Sequence, residues 1–151
     1  MGLSDDVYGG VIRNNMIFSE HTNSEEHDVG IGVARAHDML VANNTVYYSS
    51  PTSYPTAIEY RWQETSGLRV LNNLTNREVL ARNSASAVLE NNVVDANASW
   101  FVDANNGDLH LQSCSETTIL GQGSELSMVA DDFDSEPRNT SNDIGADQCT
   151  P

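Results

Sequence analysis

Val11-Ile12-Arg13-Asn14-Asn15-Met16-Ile17 is the stretch that decides the fold, because the chain repeats its pattern three more times. The copies lie at residues 40–46 (Leu-Val-Ala-Asn-Asn-Thr-Val), 69–75 (Arg-Val-Leu-Asn-Asn-Leu-Thr) and 88–94 (Val-Leu-Glu-Asn-Asn-Val-Val). The second Asn of the pair falls at positions 15, 44, 73 and 92, so the steps are 29, 29 and 19 residues. Near-regular repetition at this period is typical of a solenoid.

The repeats carry the pattern of β-strands, because branched and other apolar residues alternate or nearly alternate with polar ones. A second set of strand-like segments contains Ile31, Ile58 and Val79, which precede the second Asn of their repeat by 13, 15 and 13 residues. No long amphipathic helical pattern competes with these segments. Such repeats bury a continuous core only by stacking, so the sequence predicts an all-β solenoid of about five to six coils.

The repeat also predicts which side chains lie inside the stack. One apolar residue stands three positions before the second Asn of every copy, and we expect these residues to form one interior column: Ile12, Val41, Val70 and Leu89. Asn suits a bend, and its amide can hydrogen-bond along a stack of equivalent positions. We therefore predict a structural ladder formed by Asn15, Asn44, Asn73 and Asn92.

The end of the chain carries three further motifs. They are residues 107–111 (Gly-Asp-Leu-His-Leu), 132–138 (Asp-Phe-Asp-Ser-Glu-Pro-Arg) and 143–147 (Asp-Ile-Gly-Ala-Asp). With the Asn repeat, they make the chain resemble right-handed parallel β-helix proteins of the pectate-lyase-like superfamily, in which D-x-D-G-x-P-R and D-I-G-A-x-E stretches close the solenoid. Ser135 stands where that pattern has Gly, and Gln148 stands where it has Glu.

This resemblance implies a right-handed parallel β-helix with a loop-rich C-terminal cap, in an exported or extracellular protein that binds or cleaves polysaccharides. His110 would then belong to the packing of the cap. The residues themselves favour an Asp134–Arg138 ion pair that pins the cap, as an alternative to calcium binding by the tail carboxylates. The sequence itself begins with no recognisable signal-peptide pattern, and it has no apolar stretch long enough to span a membrane.

A length of 151 residues predicts a single domain. We assign residues 1–8 to a polar lead-in, residues 9–120 to the coils and residues 121–151 to the C-terminal cap. The resembled proteins usually cover their first coil with a helix, and no helical pattern precedes the first coil here. Either the chain is the C-terminal piece of a longer protein, or another subunit covers this coil.

In the second case we expect a homodimer, because an uncovered solenoid end exposes backbone groups and an apolar cross-section. Its interface would centre on Val11, Ile12, Ile17 and Phe18, with Arg13 at the edge. The two cysteines, Cys114 and Cys149, have no metal-binding spacing; they either pair with each other or stay free thiols.

The formal net charge is −15, from 22 acidic and seven basic residues, and every basic residue is Arg. Binding to nucleic acid is disfavoured, since phosphate recognition needs a basic face. The charge is that of a well-solvated surface.

The candidate ligand site lies on the outward face of the second set of strands. Alternation places Glu59, Arg61 and Arg82 there on neighbouring coils, and Tyr54 would lie at the rim. Paired Arg side chains can bind a carboxylate, and the resemblance implies that such a face binds acidic sugars. The alternative is that each Arg pairs with a surface carboxylate.

Other polar clusters carry weaker signals. His21 and His27 lie in an acidic loop that fits no metal template. His37-Asp38 could be a general base with its carboxylate, but adjacent residues of a strand face opposite ways, which favours a plain turn histidine. The alternating acidic residues of the tail could supply calcium ligands, although the full loop motif is absent: Asp131, Asp132, Asp134 and Glu136. No other metal or cofactor is expected.

No clear catalytic set is present, so whether the protein is an enzyme stays open. The first hypothesis is a polysaccharide-binding protein, or one derived from polysaccharide-degrading enzymes. The alternatives are a structural or self-assembling module without a ligand, and a uronate polysaccharide lyase that uses the Arg-lined face.

Overall fold

The computed structural model describes residues 7–21, 28–50, 56–138 and 141–149, and the backbone of residues 2–4. These ranges contain thirteen strands and one short 3-10 helix, Ala98–Trp100. The strands are β1 (Gly2–Ser4), β2 (Tyr8–Arg13), β3 (Met16–Ser19), β4 (Ile31–Ala34), β5 (His37–Ala42), β6 (Thr45–Tyr48), β7 (Thr56–Arg61), β8 (Arg69–Leu71), β9 (Leu74–Thr75), β10 (Glu78–Arg82), β11 (Val88–Glu90), β12 (Phe101–Asp103) and β13 (Asp108–Leu111). No described helix has the length and apolar character needed to cross a membrane.

The first eleven strands pair in parallel into three sheets. Sheet A has the order β1-β4-β7-β10, sheet B has the order β2-β5-β8-β11, and sheet C has the order β3-β6-β9. The chain therefore passes through the three sheets in turn and then begins the next level. This confirms the predicted all-β fold with parallel, solenoid-like stacking. Its handedness and the number of coils stay predictions. We call strands β1–β11 the coil stack.

The coil stack begins earlier than the sequence analysis places it. Gly2–Ser4, assigned above to a polar lead-in, forms β1 and pairs in parallel with β4. The lead-in therefore supplies the first strand of sheet A. Short polar segments at an edge carry little hydrophobic periodicity, which is why the pattern did not reveal this strand.

The predicted interior column exists in the predicted register. Strand pairing places Ile12 beside Val41, Val41 beside Val70, and Val70 beside Leu89. The first three residues are buried, with 4%, 0% and 0% of their surface exposed, whereas Leu89 is 47% exposed. Leu89 lies on the edge strand of sheet B, so our expectation that it is interior was wrong.

The first residue of each Asn pair turns the chain from sheet B into sheet C. These residues have left-handed φ angles of 53°, 51°, 56° and 51° at Asn14, Asn43, Asn72 and Asn91, respectively. Asn tolerates this conformation better than most residues with a side chain. The repeated bend is therefore encoded by the first Asn rather than by the second.

The second residue of each pair forms the predicted ladder. Side-chain Nδ2 donates to the next Oδ1 at 2.8 Å from Asn15 to Asn44, 2.9 Å from Asn44 to Asn73, and 2.9 Å from Asn73 to Asn92. The backbone N–H groups of Asn15, Asn44 and Asn73 donate to the same oxygens at 3.0 to 3.1 Å. These bonds satisfy amides that are fully buried at Asn44 and Asn73.

The rest of the described chain, residues 95–138 and 141–149, is the tail, and it lies along the side of the coil stack. Leu126 and Val129 pack on Leu40 and Leu71 of sheet B, which alternate with the interior residues and so face outward. A second cluster packs the tail against sheet C, and it includes Tyr47, Leu74, Phe101, Leu109, Ile119 and Ile144. The described part of the predicted cap therefore covers two outer faces, and Leu89 at the end of the stack stays exposed.

The tail is closed by a disulfide between Cys114 and Cys149, whose Cα atoms lie 5.6 Å apart. The sequence left free thiols and pairing open, and the structure decides for pairing. The bond joins the segment after β13 to the end of the described chain, and β12 and β13 form an antiparallel hairpin within the tail.

Candidate functional site

The outer face of sheet A brings together the three described residues of the predicted ligand site. Glu59 lies in the middle of β7, and its side chain is almost completely buried. Arg61 forms an ion pair with Glu59 through Nε, and Arg82 Nη1 donates to Glu59 Oε2 at 3.3 Å. Arg61 and Arg82 are register neighbours on β7 and β10. Tyr54 lies outside the described residues.

The arrangement compensates a buried carboxylate with two guanidinium groups, which is the condition under which burial of a charge is tolerated. The Arg side chains remain 33% exposed at Arg61 and 47% exposed at Arg82, so both reach solvent. Arg61 Nη2 also lies 3.8 Å from Asp28 Oδ2. Arg61 and Arg82 therefore do pair with carboxylates, as the alternative interpretation expected. These contacts also orient the two guanidinium planes.

An aromatic–cation pair extends this site and was missed by the sequence analysis. Trp62 follows Arg61, has a positive φ of 77° and is 37% exposed. The guanidinium carbon of Arg35 lies 4.8 Å from the Trp62 ring centroid, a cation–π distance. The strand register contained a signal for this pair. It aligns Ala34 with Arg61, so the next residues, Arg35 and Trp62, come together.

Thr65 holds the two segments of this extension in place. Its buried hydroxyl donates to the Arg61 carbonyl at 2.6 Å, and the same oxygen accepts the backbone N–H of Arg35 at 3.0 Å. The backbone positions on both sides of the Arg35–Trp62 pair are therefore fixed by one side chain.

The histidines near the stack have varied surroundings. His37 Nδ1 lies 2.8 Å from Ser66 Oγ, and its ring stacks on Tyr8 with centroids 4.6 Å apart. Asp38 is exposed and has a left-handed φ of 53°. His21 is exposed, and its backbone N–H donates to Ser19 Oγ at 3.2 Å. His27 lies outside the described residues.

Arg138 of the tail motif binds backbone carbonyl groups instead of the predicted Asp134. Its guanidinium donates to the carbonyls of Gly145, Ala146 and Asp131 at 2.8, 2.9 and 3.0 Å. Burial lowers the pKa of Arg138, while the nearby carboxylates oppose that shift. The expected Asp134–Arg138 pair was wrong because the two tail segments fold against each other and direct several carbonyls at the guanidinium group.

The carboxylates of the tail motifs likewise accept hydrogen bonds from backbone N–H groups. Asp132 Oδ1 accepts the N–H groups of Asp134 and Glu136 at 3.0 and 2.8 Å, and Asp132 Oδ2 accepts that of Gln148 at 3.1 Å. Asp143 accepts the N–H groups of Gly121 and Cys149 at 2.7 and 2.8 Å. The motif residues therefore lock segments of the tail together.

The first Asn of each pair attaches this locked tail to the stack. Asn14 Nδ2 donates to the Asp131 carbonyl at 2.7 Å, Asn43 Nδ2 to the Asp143 carbonyl at 3.1 Å, and Asn72 Nδ2 to the Ser124 carbonyl at 2.9 Å. Asn91 Nδ2 reaches Ser124 Oγ at 2.9 Å. We call these four residues the docking asparagines. Their role was not predicted, since it depends on residues 33 to 117 positions away in the sequence.

His110 bridges two carboxylates. The sequence had predicted only a packing role for this residue. Its Nδ1 lies 2.6 Å from Asp108 Oδ1, and its Nε2 lies 3.0 Å from Asp134 Oδ2. The hydrogen bond with Asp108 raises the pKa of His110, and the negative charges of Asp134 and Asp147 add to this effect. Burial raises the pKa of Asp147.

Among the described residues, three carboxylates beside His110 form the group that most resembles a cation site. Oxygens of Asp132, Asp134 and Asp147 lie within 4.8 Å of one another. Calcium takes about six to eight oxygen ligands, more than these three residues supply, and Asp132 already accepts three backbone N–H groups. Of the other two predicted ligands, Asp131 pairs with Arg13 and Glu136 is exposed. Hydrogen bonds from backbone N–H groups and from His110 hold these three carboxylates in place.

Comparison of the chain with protein-family models, with curated proteins and with solved structures finds no match. Membership of the pectate-lyase-like superfamily therefore stays a prediction that rests on the Asn repeat and the tail motifs.

Proposed function

We propose that this protein is a right-handed parallel β-helix whose sheet A face binds an acidic polysaccharide. The supporting observation is the juxtaposition of the Glu59–Arg61–Arg82 network with the exposed Trp62 ring. Aromatic faces stack on the apolar side of sugar rings, and guanidinium groups hydrogen-bond to carboxylates and hydroxyls. The resemblance to polysaccharide-binding β-helix proteins points to the same ligand class.

The distribution of the tail supports this choice of face. The tail packs on the outer faces of sheets B and C, whereas among the described residues the outer face of sheet A presents solvent-accessible polar and aromatic groups. Because Glu59 fixes both guanidinium groups, their orientation is set before a ligand arrives. Preorganisation of this kind lowers the entropic cost of binding.

Calorimetric titration with polygalacturonate and with a neutral glucan tests the proposal. We expect polygalacturonate to bind, and Arg82→Ala and Trp62→Ala each to weaken its affinity about tenfold through loss of an ion pair or a stacking surface. Arg69→Ala, which removes an exposed Arg from sheet B, is the matched control and should bind normally. Failure of the wild-type protein to bind any member of a glycan array would overturn the proposal.

A structural or self-assembling module is the second candidate. It is favoured by the tail motifs, whose carboxylates and guanidinium are engaged by backbone groups. The homodimer that the sequence predicts through the first coil belongs to this candidate. Lyase activity is a third proposal, and ultraviolet detection of unsaturated uronates after incubation with polygalacturonate tests it directly.

A further inference from the structure

Among the described side chains, the last level of the coil stack exposes aliphatic residues, and one of them, Leu89, occupies a position that is buried in the first level. Val88, Leu89 and Val94 are 50%, 47% and 44% exposed, whereas Ile12, which occupies the position of Leu89 in the first level, is 4% exposed. Leu89 and Val94 also line a depression of about 270 Å³ together with Val79. A solenoid end of this kind needs a cover to exclude water from the apolar cross-section.

The same end presents open strand edges. β10 is the last strand of sheet A and β11 is the last strand of sheet B, and within the described ranges each pairs on one side only. Half of the backbone N–H and C=O groups of such a strand point away from its single partner. An added strand would satisfy these groups and cover the apolar residues at once.

The sequence of β10 is complementary to itself. Glu78, Leu80 and Arg82 occupy alternate positions of β10, with Val79 and Ala81 between them. The pairing of β10 with β7 shifts register between Glu78 and Val79, at the start of the strand. In an antiparallel pair centred on Leu80, Glu78 of each strand lies opposite Arg82 of the other. Opposite charges at directly facing positions stabilise a pair of strands, and like charges destabilise it.

We propose that the last level of the coil stack is a self-association surface, occupied by a second copy of this chain related by a two-fold axis at Leu80. The two β10 strands pair antiparallel, with two symmetric Glu78–Arg82 contacts, and the second copy covers Leu89. A two-fold interface is isologous, which requires a self-complementary strand of this kind. The inference does not rest on the carbohydrate proposal, although both use Arg82, whose Nη1 donates to Glu59 Oε2 of the same chain at 3.3 Å.

The opposite end of the stack, at the first level, is a poorer candidate for binding a second copy. Ile12 is buried there, and among the described side chains of that level the large exposed apolar residue is Tyr8, at 72%. Tyr8 already stacks on His37 of the same chain. The two ends can therefore be separated by single substitutions.

Sedimentation equilibrium from about 10 µM to about 500 µM provides the first test. We expect a monomer–dimer equilibrium whose dissociation constant rises at least about tenfold in Leu89→Asp and in Glu78→Arg, which places like charges opposite each other. Tyr8→Asp at the first level and Val102→Asp on the tail, where Val102 is 51% exposed, should leave it unchanged. Circular dichroism of each variant establishes that it is folded.

Cross-linking at the proposed axis provides the second test. Both cysteines of the chain are joined in the native disulfide, so a cysteine introduced as Leu80→Cys is the single free thiol. Under mild oxidation it should give a covalent dimer, whereas Val102→Cys should not. A monomer throughout the concentration range, a dimer lost only in Tyr8→Asp, or equal cross-linking of both cysteine variants would each overturn the proposal.

Discussion

The coil stack and the tail are held by different kinds of contact. In the stack, an apolar column and an asparagine ladder repeat at every level, so neighbouring levels support one another. The tail has no repeat. A disulfide, one buried arginine, the docking asparagines and two apolar clusters on sheets B and C hold it. Damage to the stack should therefore affect the whole molecule, whereas damage to the tail should release the tail first.

Removal of the disulfide should have the largest effect and should act on the tail. Cys114 and Cys149 are 35 residues apart, and closing a loop of this length contributes about 3–4 kcal/mol by constraining the unfolded chain. In Cys114→Ser/Cys149→Ser we expect fast hydrogen exchange in residues 119–149, with β5 still protected. Equal loss of protection in β5 would show that tail and stack unfold as one unit.

Arg138→Ala should destabilise the tail by about 3 kcal/mol, because it removes charge-assisted hydrogen bonds from a buried guanidinium to the carbonyl groups of Gly145 and Ala146. Each of these carbonyls keeps one other donor, from Asn43 and Phe133 respectively. Chemical denaturation measures the change in the free energy of unfolding, with Trp100 fluorescence reporting on the tail and Trp62 fluorescence reporting on the coil stack. The matched control is Arg69→Ala, which removes an exposed arginine. A value below about 0.5 kcal/mol, the range of ordinary surface substitutions, would contradict the role assigned to Arg138.

Asn44→Ala tests the stack and should cost about 1–3 kcal/mol, because the backbone N–H and the amide of Asn15 lose their shared acceptor. This loss should appear in all three sheets rather than in the tail alone. Asn105→Ala, at an exposed position, is the control. Near-neutral stability of Asn44→Ala would contradict the energetic importance of the ladder.

The smallest expected effect is a pH dependence confined to the tail. The folded-state pKa of His110 is raised from 6.5 by its hydrogen bond to Asp108, so its protonation stabilises the folded tail. That stabilisation is complete below the unfolded pKa and is lost as the pH rises through the folded pKa. Protection factors of the tail amides, which are corrected for the intrinsic pH dependence of exchange, should fall over this window in the wild type but not in His110→Gln. The same fall in the variant would assign the effect to another group.

The sequence predicts the stack well because the stack is periodic. The Asn pair fixes the register, so the ladder and the burial of Val41 and Val70 follow from spacing alone. The exposure of Leu89 did not follow, because identical positions in a repeat differ in what covers them. Burial at an end of the stack depends on neighbours that the spacing does not describe.

The tail and part of the candidate site were harder to predict for a physical reason. The Asn43–Asp143 contact joins residues 100 positions apart, and no local pattern encodes which carbonyl meets which amide. Alternation along β7 and β10 did place Glu59 beside Arg61 and Arg82. It did not indicate that Glu59 is buried or that Trp62 stacks on Arg35.

The docking asparagines have a consequence for how this chain can vary in length. Solenoids commonly grow or shrink by duplication or loss of whole repeats, since each repeat contacts only its neighbours. Here one non-repeating segment contacts Asn14, Asn43 and Asn72 at successive levels, about 4.8 Å apart along the stack. A duplicated 29-residue repeat between Asn14 and Asn43 would move the first attachment point by one level and break either its bond or that of Asn43. The tail therefore fixes the number of levels between its attachment points.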